Sequence, residues 1–119
     1  MDISRLKKRN LTAWLPLNDE GDVLIHCKHI SQSDFDALDE SCTDRKGVRD
    51  NKKFRSALAQ AVVIDWKGID DDGAEFPATP ENIDYMMSES TEFRLLIMDV
   101  PLSMEKMLAA EKEAARKNL

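Results

Sequence analysis

The sequence has no apolar run near the ~20 residues that a membrane-spanning helix requires, so no transmembrane segment is expected. Two cysteines, Cys27 and Cys42, are too few for a disulfide framework and fit a reduced intracellular protein with two thiols. Basic residues near Met1 are followed by no apolar stretch that would serve as a signal-peptide core. Catalytic signatures are missing as well. There is no Gly-x-Ser-x-Gly elbow, no phosphate-cradling glycine loop and no dinucleotide fingerprint. His26 and His29 make a weak case for general-base chemistry, so no enzymatic activity is expected.

Metal binding finds equally little support. His26, Cys27, His29 and Cys42 are legitimate zinc ligands, but on a strand His26 points away from the face shared by Cys27 and His29. No paired Cys-x-x-Cys occurs, and a half-buried thiol beside surface histidines is the better reading. The run Asp70-Asp71-Asp72-Gly73 resembles a calcium loop in composition only. Aligning Gly73 with the invariant glycine of an EF-hand loop places Gly68 and Thr79 at the terminal ligand positions, where neither can serve. No metal and no cofactor is expected.

What is present points to one small interaction domain spanning residues 1–119. Hydrophobic residues make up 42% and charged residues 34%, enough for a core without a membrane-like or disordered composition. Seventeen Lys and Arg against 23 Asp and Glu give a net charge of −6. Such a mean field repels nucleic acid and anionic lipid. The charges are nonetheless segregated. Arg5, Lys7, Lys8 and Arg9 form one basic cluster, Arg45, Lys46, Arg49, Lys52, Lys53 and Arg55 another, and Asp65, Asp70, Asp71, Asp72 and Glu75 an acidic one. Phe54 is the one aromatic within the basic clusters and it belongs to the apolar stripe of its helix, so nucleic-acid binding is not expected. Segregated charge also permits head-to-tail docking between copies.

Leu11, Ala13, Leu15 and Leu17 alternate with Thr12, Trp14 and Pro16, the period of a strand with one buried face. Pro16 restricts that strand to a sheet edge or places the proline at its end. After the turn Asn18–Asp22, Val23, Ile25 and Cys27 continue the alternation, which predicts a β-hairpin. The rest leans helical. Ser31 or Ser33 can cap a short helix carrying Phe35, Leu38 and Cys42. Asp50 or Asn51 can cap a second, with Phe54, Leu58, Ala61 and Val62, expected to run on to Asp65 or Trp66. Gly68 to Ala78 reads as a loop. Thr79-Pro80-Glu81-Asn82 is a strong helix start ahead of Ile83, Met86 and Met87. The last stripe holds Phe93, Leu96, Ile97, Val100, Met104, Met107 and Leu108, interrupted by Pro101, which predicts a kinked helix or a closely aligned pair. Residues 1–9 are expected to form a basic arm and 109–119 a solvated, fraying helical tail. The expected fold class is α+β, an N-terminal β-hairpin packed on a mostly α-helical domain of four to five helices.

Two features suggest a binding surface. Lys52 and Lys53 fall in the first turn of their helix, where each cation opposes the macrodipole by about 0.3–1 kcal/mol. A local rule broken without compensation hints at a functional demand. Five methionines lie in the C-terminal helices, and thioethers suit adaptable contact surfaces. Core filling explains most of them, but Met98 lies off the apolar stripe. The candidate partner-binding residues are therefore Lys52, Lys53, Arg55, Met86, Met87 and Met98.

The stretch from Ala61 to Met87 combines an apolar helix end, Trp66-Lys67-Gly68-Ile69, an acidic turn closing on Gly73, and Thr79-Pro80-Glu81-Asn82 opening a helix. In this it resembles the tail assembly chaperones of long-tailed bacteriophages and prophages, and the likeness extends upstream through Trp14 and Pro16. The resemblance implies a small, mostly helical, self-associating protein of the bacterial host cytoplasm. It implies binding to the tape measure protein, keeping that long helical chain soluble while the tail tube protein polymerises around it. No family residue is sharp enough to transfer, and the basic tract around Lys52 has no counterpart in the pattern. Two other readings remain: a structural tail subunit retained in the virion, and a nucleic-acid-associated regulator using the basic clusters.

Overall fold

A computed structural model of the chain describes residues 11–117; the predicted basic arm 1–9 lies outside them. Strands β1 (Thr12–Pro16) and β2 (Leu24–Lys28) form the expected antiparallel hairpin, with Trp14 paired to His26 and Leu15 to Ile25. Leu15, Ile25 and Cys27 are buried on its inner face. Pro16 ends an edge strand, where its missing N–H costs no ladder bond.

Helix α1 (Gln32–Ser41) starts at Ser31, whose hydroxyl accepts from the Asp34 N–H at 3.1 Å. Helix α2 (Asn51–Val62) starts at Asp50, whose carboxylate accepts from the Lys53 N–H at 3.1 Å. The expected run of α2 to Asp65 or Trp66 is corrected. The chain leaves the helix at Val63 and forms a third strand, β3 (Val63–Lys67), antiparallel to β2. The run Val62-Val63-Ile64 is β-branched, and such side chains pack better on a pleated surface than against a helical turn. Strand β2 is thus central, and the sheet order is β1-β2-β3. A bulge between His26 and Cys27 shifts the register, leaving both Ile64 and Asp65 facing outward while Val63 and Trp66 turn inward.

Gly68 follows at φ +85°, and a Cβ there would lie 2.2 Å from the Asp22 carbonyl oxygen, so only glycine permits this close approach of the strand end to the hairpin turn. The predicted loop beyond it contains a two-stranded ribbon, β4 (Asp70–Asp71) and β5 (Ala74–Glu75), whose turn holds Asp72 and Gly73 at φ 50° and 81°.

Helix α3 (Pro80–Glu89) begins as its sequence dictates, with the Thr79 hydroxyl accepting from the Asn82 N–H at 3.2 Å and Pro80 in its first turn. Ser90 does the same for helix α4 (Thr91–Lys117), accepting from the Phe93 N–H at 3.1 Å. Of the two expected arrangements α4 takes the single helix, running through Pro101, with the Ser103 hydroxyl donating to Asp99 within it at 2.8 Å. Phe93, Ile97, Val100 and Met104 of α4 pack with Phe54, Leu58 and Val62 of α2, Ile83 and Met87 of α3, and the inner face of the sheet. Residues 109–117 are exposed helix. The architecture is α+β, a three-stranded sheet and a two-stranded ribbon with four helices among the described residues.

Candidate binding surfaces

Helix α4 is apolar on two faces. Its inner stripe, Phe93, Ile97, Val100 and Met104, is fully buried. Leu95, Met98 and Leu102 are 66%, 39% and 56% exposed. At 100° per residue these three fall within about 60° of one another on the side facing away from the core. This face presents branched and thioether side chains to water.

A cleft of about 350 Å³ lies where α2, α3 and the start of α4 meet, lined by Lys52, Arg55, Ser56, Asp84, Met87, Ser88 and Arg94. Arg94 closes one end by donating to the Met87 carbonyl at 2.7 Å, satisfying a last-turn oxygen of α3. Asp84 is held by the Ser56 hydroxyl at 2.6 Å and the Gln60 amide at 3.1 Å. The side chains of Lys52 and Arg55 have no hydrogen bond or ion pair among the described residues. The lining therefore carries two more cations than anions, a local inversion of the chain's net charge.

On the other side of α3 a wider cleft, about 500 Å³, opens toward the β4–β5 ribbon. Its apolar lining is Ile69, Phe76, Tyr85 and Met86; its polar lining is Asp70, Asp71, Glu81 and Asn82. Trp66 and Phe76 are stacked at 5.9 Å, and Tyr85 meets Phe76 edge-on at 6.0 Å. This ladder ends in the core, where Phe93 packs against Trp66 at 5.9 Å.

The outer face of the sheet carries a third arrangement. Trp14 stacks on His26 at 4.4 Å with an angle of 8°, and the Lys67 ammonium lies 4.4 Å from the centre of the Trp14 ring. His29, at the end of β2, reaches Glu105 of α4 at 2.7 Å.

The six sequence candidates do not form one site. Lys52, Arg55 and Met87 share the cationic cleft, with Met87 buried against the core at its base. Met86 belongs to the aromatic cleft, Met98 to the outer face of α4, and Lys53 stands exposed on α2. The thiols lie elsewhere. Cys27 is fully buried rather than half-buried, and burial pushes its pKa up to about 12. Among the described residues no three His, Cys, Asp or Glu side chains are grouped to hold a metal ion. No described helix is long and apolar enough to cross a membrane.

Sequence reasoning missed Leu95, Leu102, Tyr85, Phe76 and Arg94. The first two were detectable: with Met98 they repeat at i, i+3 and i+7, a second helical stripe running beside the core stripe. Tyr85 and Phe76 come together only because the ribbon folds back onto α3, which no local pattern signals.

Residues 25–118, from β2 onward, match the family model described as YdaY prophage protein. The chain belongs to that family. It is a prophage protein, the coarser part of what the phage-tail resemblance implies. The family match takes in both clefts and the whole outer stripe of α4, leaving out β1 and the turn before β2. No curated protein and no solved structure shows significant similarity to the chain.

Proposed function

We propose that this prophage protein acts by binding rather than catalysis, as a tail assembly chaperone whose client is the tape measure protein. The observation that carries the reading is the outer stripe of α4, Leu95, Met98 and Leu102, left uncovered opposite a fully buried one. A helix with a free apolar stripe suits an amphipathic helical client, which offers its own stripe at the same spacing. The tape measure protein is proposed as that client on the tail-protein resemblance over Ala61–Met87 alone; a prophage family is compatible with it and names no client. Contact with the tail tube protein and self-association belong to the same proposal.

Co-expression tests it. A tape measure fragment that is insoluble alone should become soluble beside the wild-type chain, and not beside a folded Leu95→Ser/Leu102→Ser variant. Met87 is unsuitable for such a test because it packs in the core. A fragment that stays insoluble with the wild type removes the reading. Finding the chain in purified particles would instead favour a structural tail subunit.

A further inference from the structure

We propose that the cleft between the β4–β5 ribbon and α3 docks a basic protein segment, its arginine or lysine side chain laid on the Phe76–Tyr85 floor between Asp70, Asp71 and Glu81. The proposal rests on the reading of the chain as a binding protein and names the chemistry of a client.

The floor is built to stay in place. The Trp66 indole N–H donates to the Phe76 carbonyl at 2.6 Å, and Phe76 is stacked on that indole. Tyr85 leans edge-on against Phe76 yet remains 57% exposed. An aromatic pair anchored on Trp66, with Phe76 half-buried and Tyr85 exposed, offers the negative ring face that a guanidinium or ammonium prefers.

The rim supplies matching charge. Asp70, Asp71 and Glu81 have no hydrogen-bonding or ion-pairing side chain among the described residues, and no cation lines the cleft. Glu81 has a local reason to exist, since it sits in the first turn of α3 and complements that helix's dipole. Asp70 and Asp71 have none. Aspartate is a poor strand former, yet both residues of β4 are aspartates, and each repels the other and Glu81. A bound cation converts that repulsion into attraction. Met86 beside the rings then gives an apolar neighbour of the basic residue a place to rest, and the volume of about 500 Å³ accommodates both. The same acids turn away phosphate backbones and anionic lipid.

The probe is a short peptide alternating leucine and arginine, titrated into the isotope-labelled full chain and followed by amide NMR shifts. A leucine–glutamate peptide serves as its mirror. The arginine peptide should shift residues 69–71 and 81–86, more strongly at low salt, while the glutamate peptide shifts nothing. Asp70→Asn/Asp71→Asn should weaken binding about tenfold or more, as loss of complementary charge does. Tyr85→Ala should weaken it too, and Tyr85→Phe should restore it. These positions are exposed, so the variants are expected to stay folded, which circular dichroism checks. The site is overturned by shifts that fall elsewhere, by affinity indifferent to Asp70 and Asp71, by no shifts at all, or by magnesium perturbing the same residues while the peptide does not. The two proposals fail separately. If Asp70→Asn/Asp71→Asn leaves both peptide affinity and client solubilisation unchanged, the docking site falls and the chaperone reading stands. If the peptide binds here but the wild type solubilises no tape measure fragment, the reverse holds.

Discussion

Trp66 donates its indole N–H to the Phe76 carbonyl at 2.6 Å while the two rings lie stacked, with 9° between their planes. One residue of β3 thereby ties the end of the acidic ribbon to the sheet. Trp66→Phe keeps a ring but removes the donor and part of the packed volume. It should cost about 1–3 kcal/mol of stability in urea unfolding. Amide exchange in the ribbon should also accelerate, since its anchor to the sheet is gone.

Gly68 and Gly73 both have positive φ, but their surroundings differ. A Cβ on Gly68 would meet the Asp22 carbonyl oxygen at 2.2 Å, whereas one on Gly73 would meet nothing within 4 Å. Gly73→Ala should therefore cost only the left-handed backbone penalty, about 1–2 kcal/mol. Gly68→Ala adds a clash with backbone and should cost more than Gly73→Ala. The comparison of the two denaturation midpoints checks it.

Cys27 gives the fold a pH dependence in the alkaline range. Its pKa rises from 9.0 to about 12 through burial, so the folded state keeps a proton that the unfolded state releases. Its full contribution is present below pH 9 and is lost progressively as pH climbs toward 12. The slope approaches about 1.4 kcal/mol per pH unit once the unfolded thiol is ionised. The stability of wild type relative to Cys27→Val should fall between pH 9 and 10.5 and stay constant between pH 6 and 8. The native thiol should also resist a disulfide reagent that modifies the unfolded chain.

The hairpin, the caps at Ser31, Asp50 and Thr79, and the inner stripe of α4 were legible because each rests on local chemistry or periodicity. Strand β3 was not. Ala57 to Ala61 favour helix, and the switch at Val63 is decided by pairing with β2, a contact far away in sequence. Pro101 left two arrangements open, and the structure takes the single helix. Its ring removes one helical hydrogen bond, but burial of Ile97, Val100 and Met104 on either side keeps the helix in register. As for the surfaces, Lys52, Arg55 and Met87 converge as a cleft, while Met86 and Met98 face two other directions. Residue type suggested stickiness; only the packing of α3 and α4 decided which side of each helix remained uncovered.

The most direct test places a photo-activated cross-linker at Leu102, on the outer stripe of α4, and for comparison at Lys46 in the loop before α2. Each labelled chain is co-expressed with the tape measure protein and irradiated. Cross-linking from Leu102 and not from Lys46, abolished by Leu95→Ser, is the result expected of a client held on the outer face of α4. Equal cross-linking from both positions, or none from Leu102 when the client is co-purified, would contradict it.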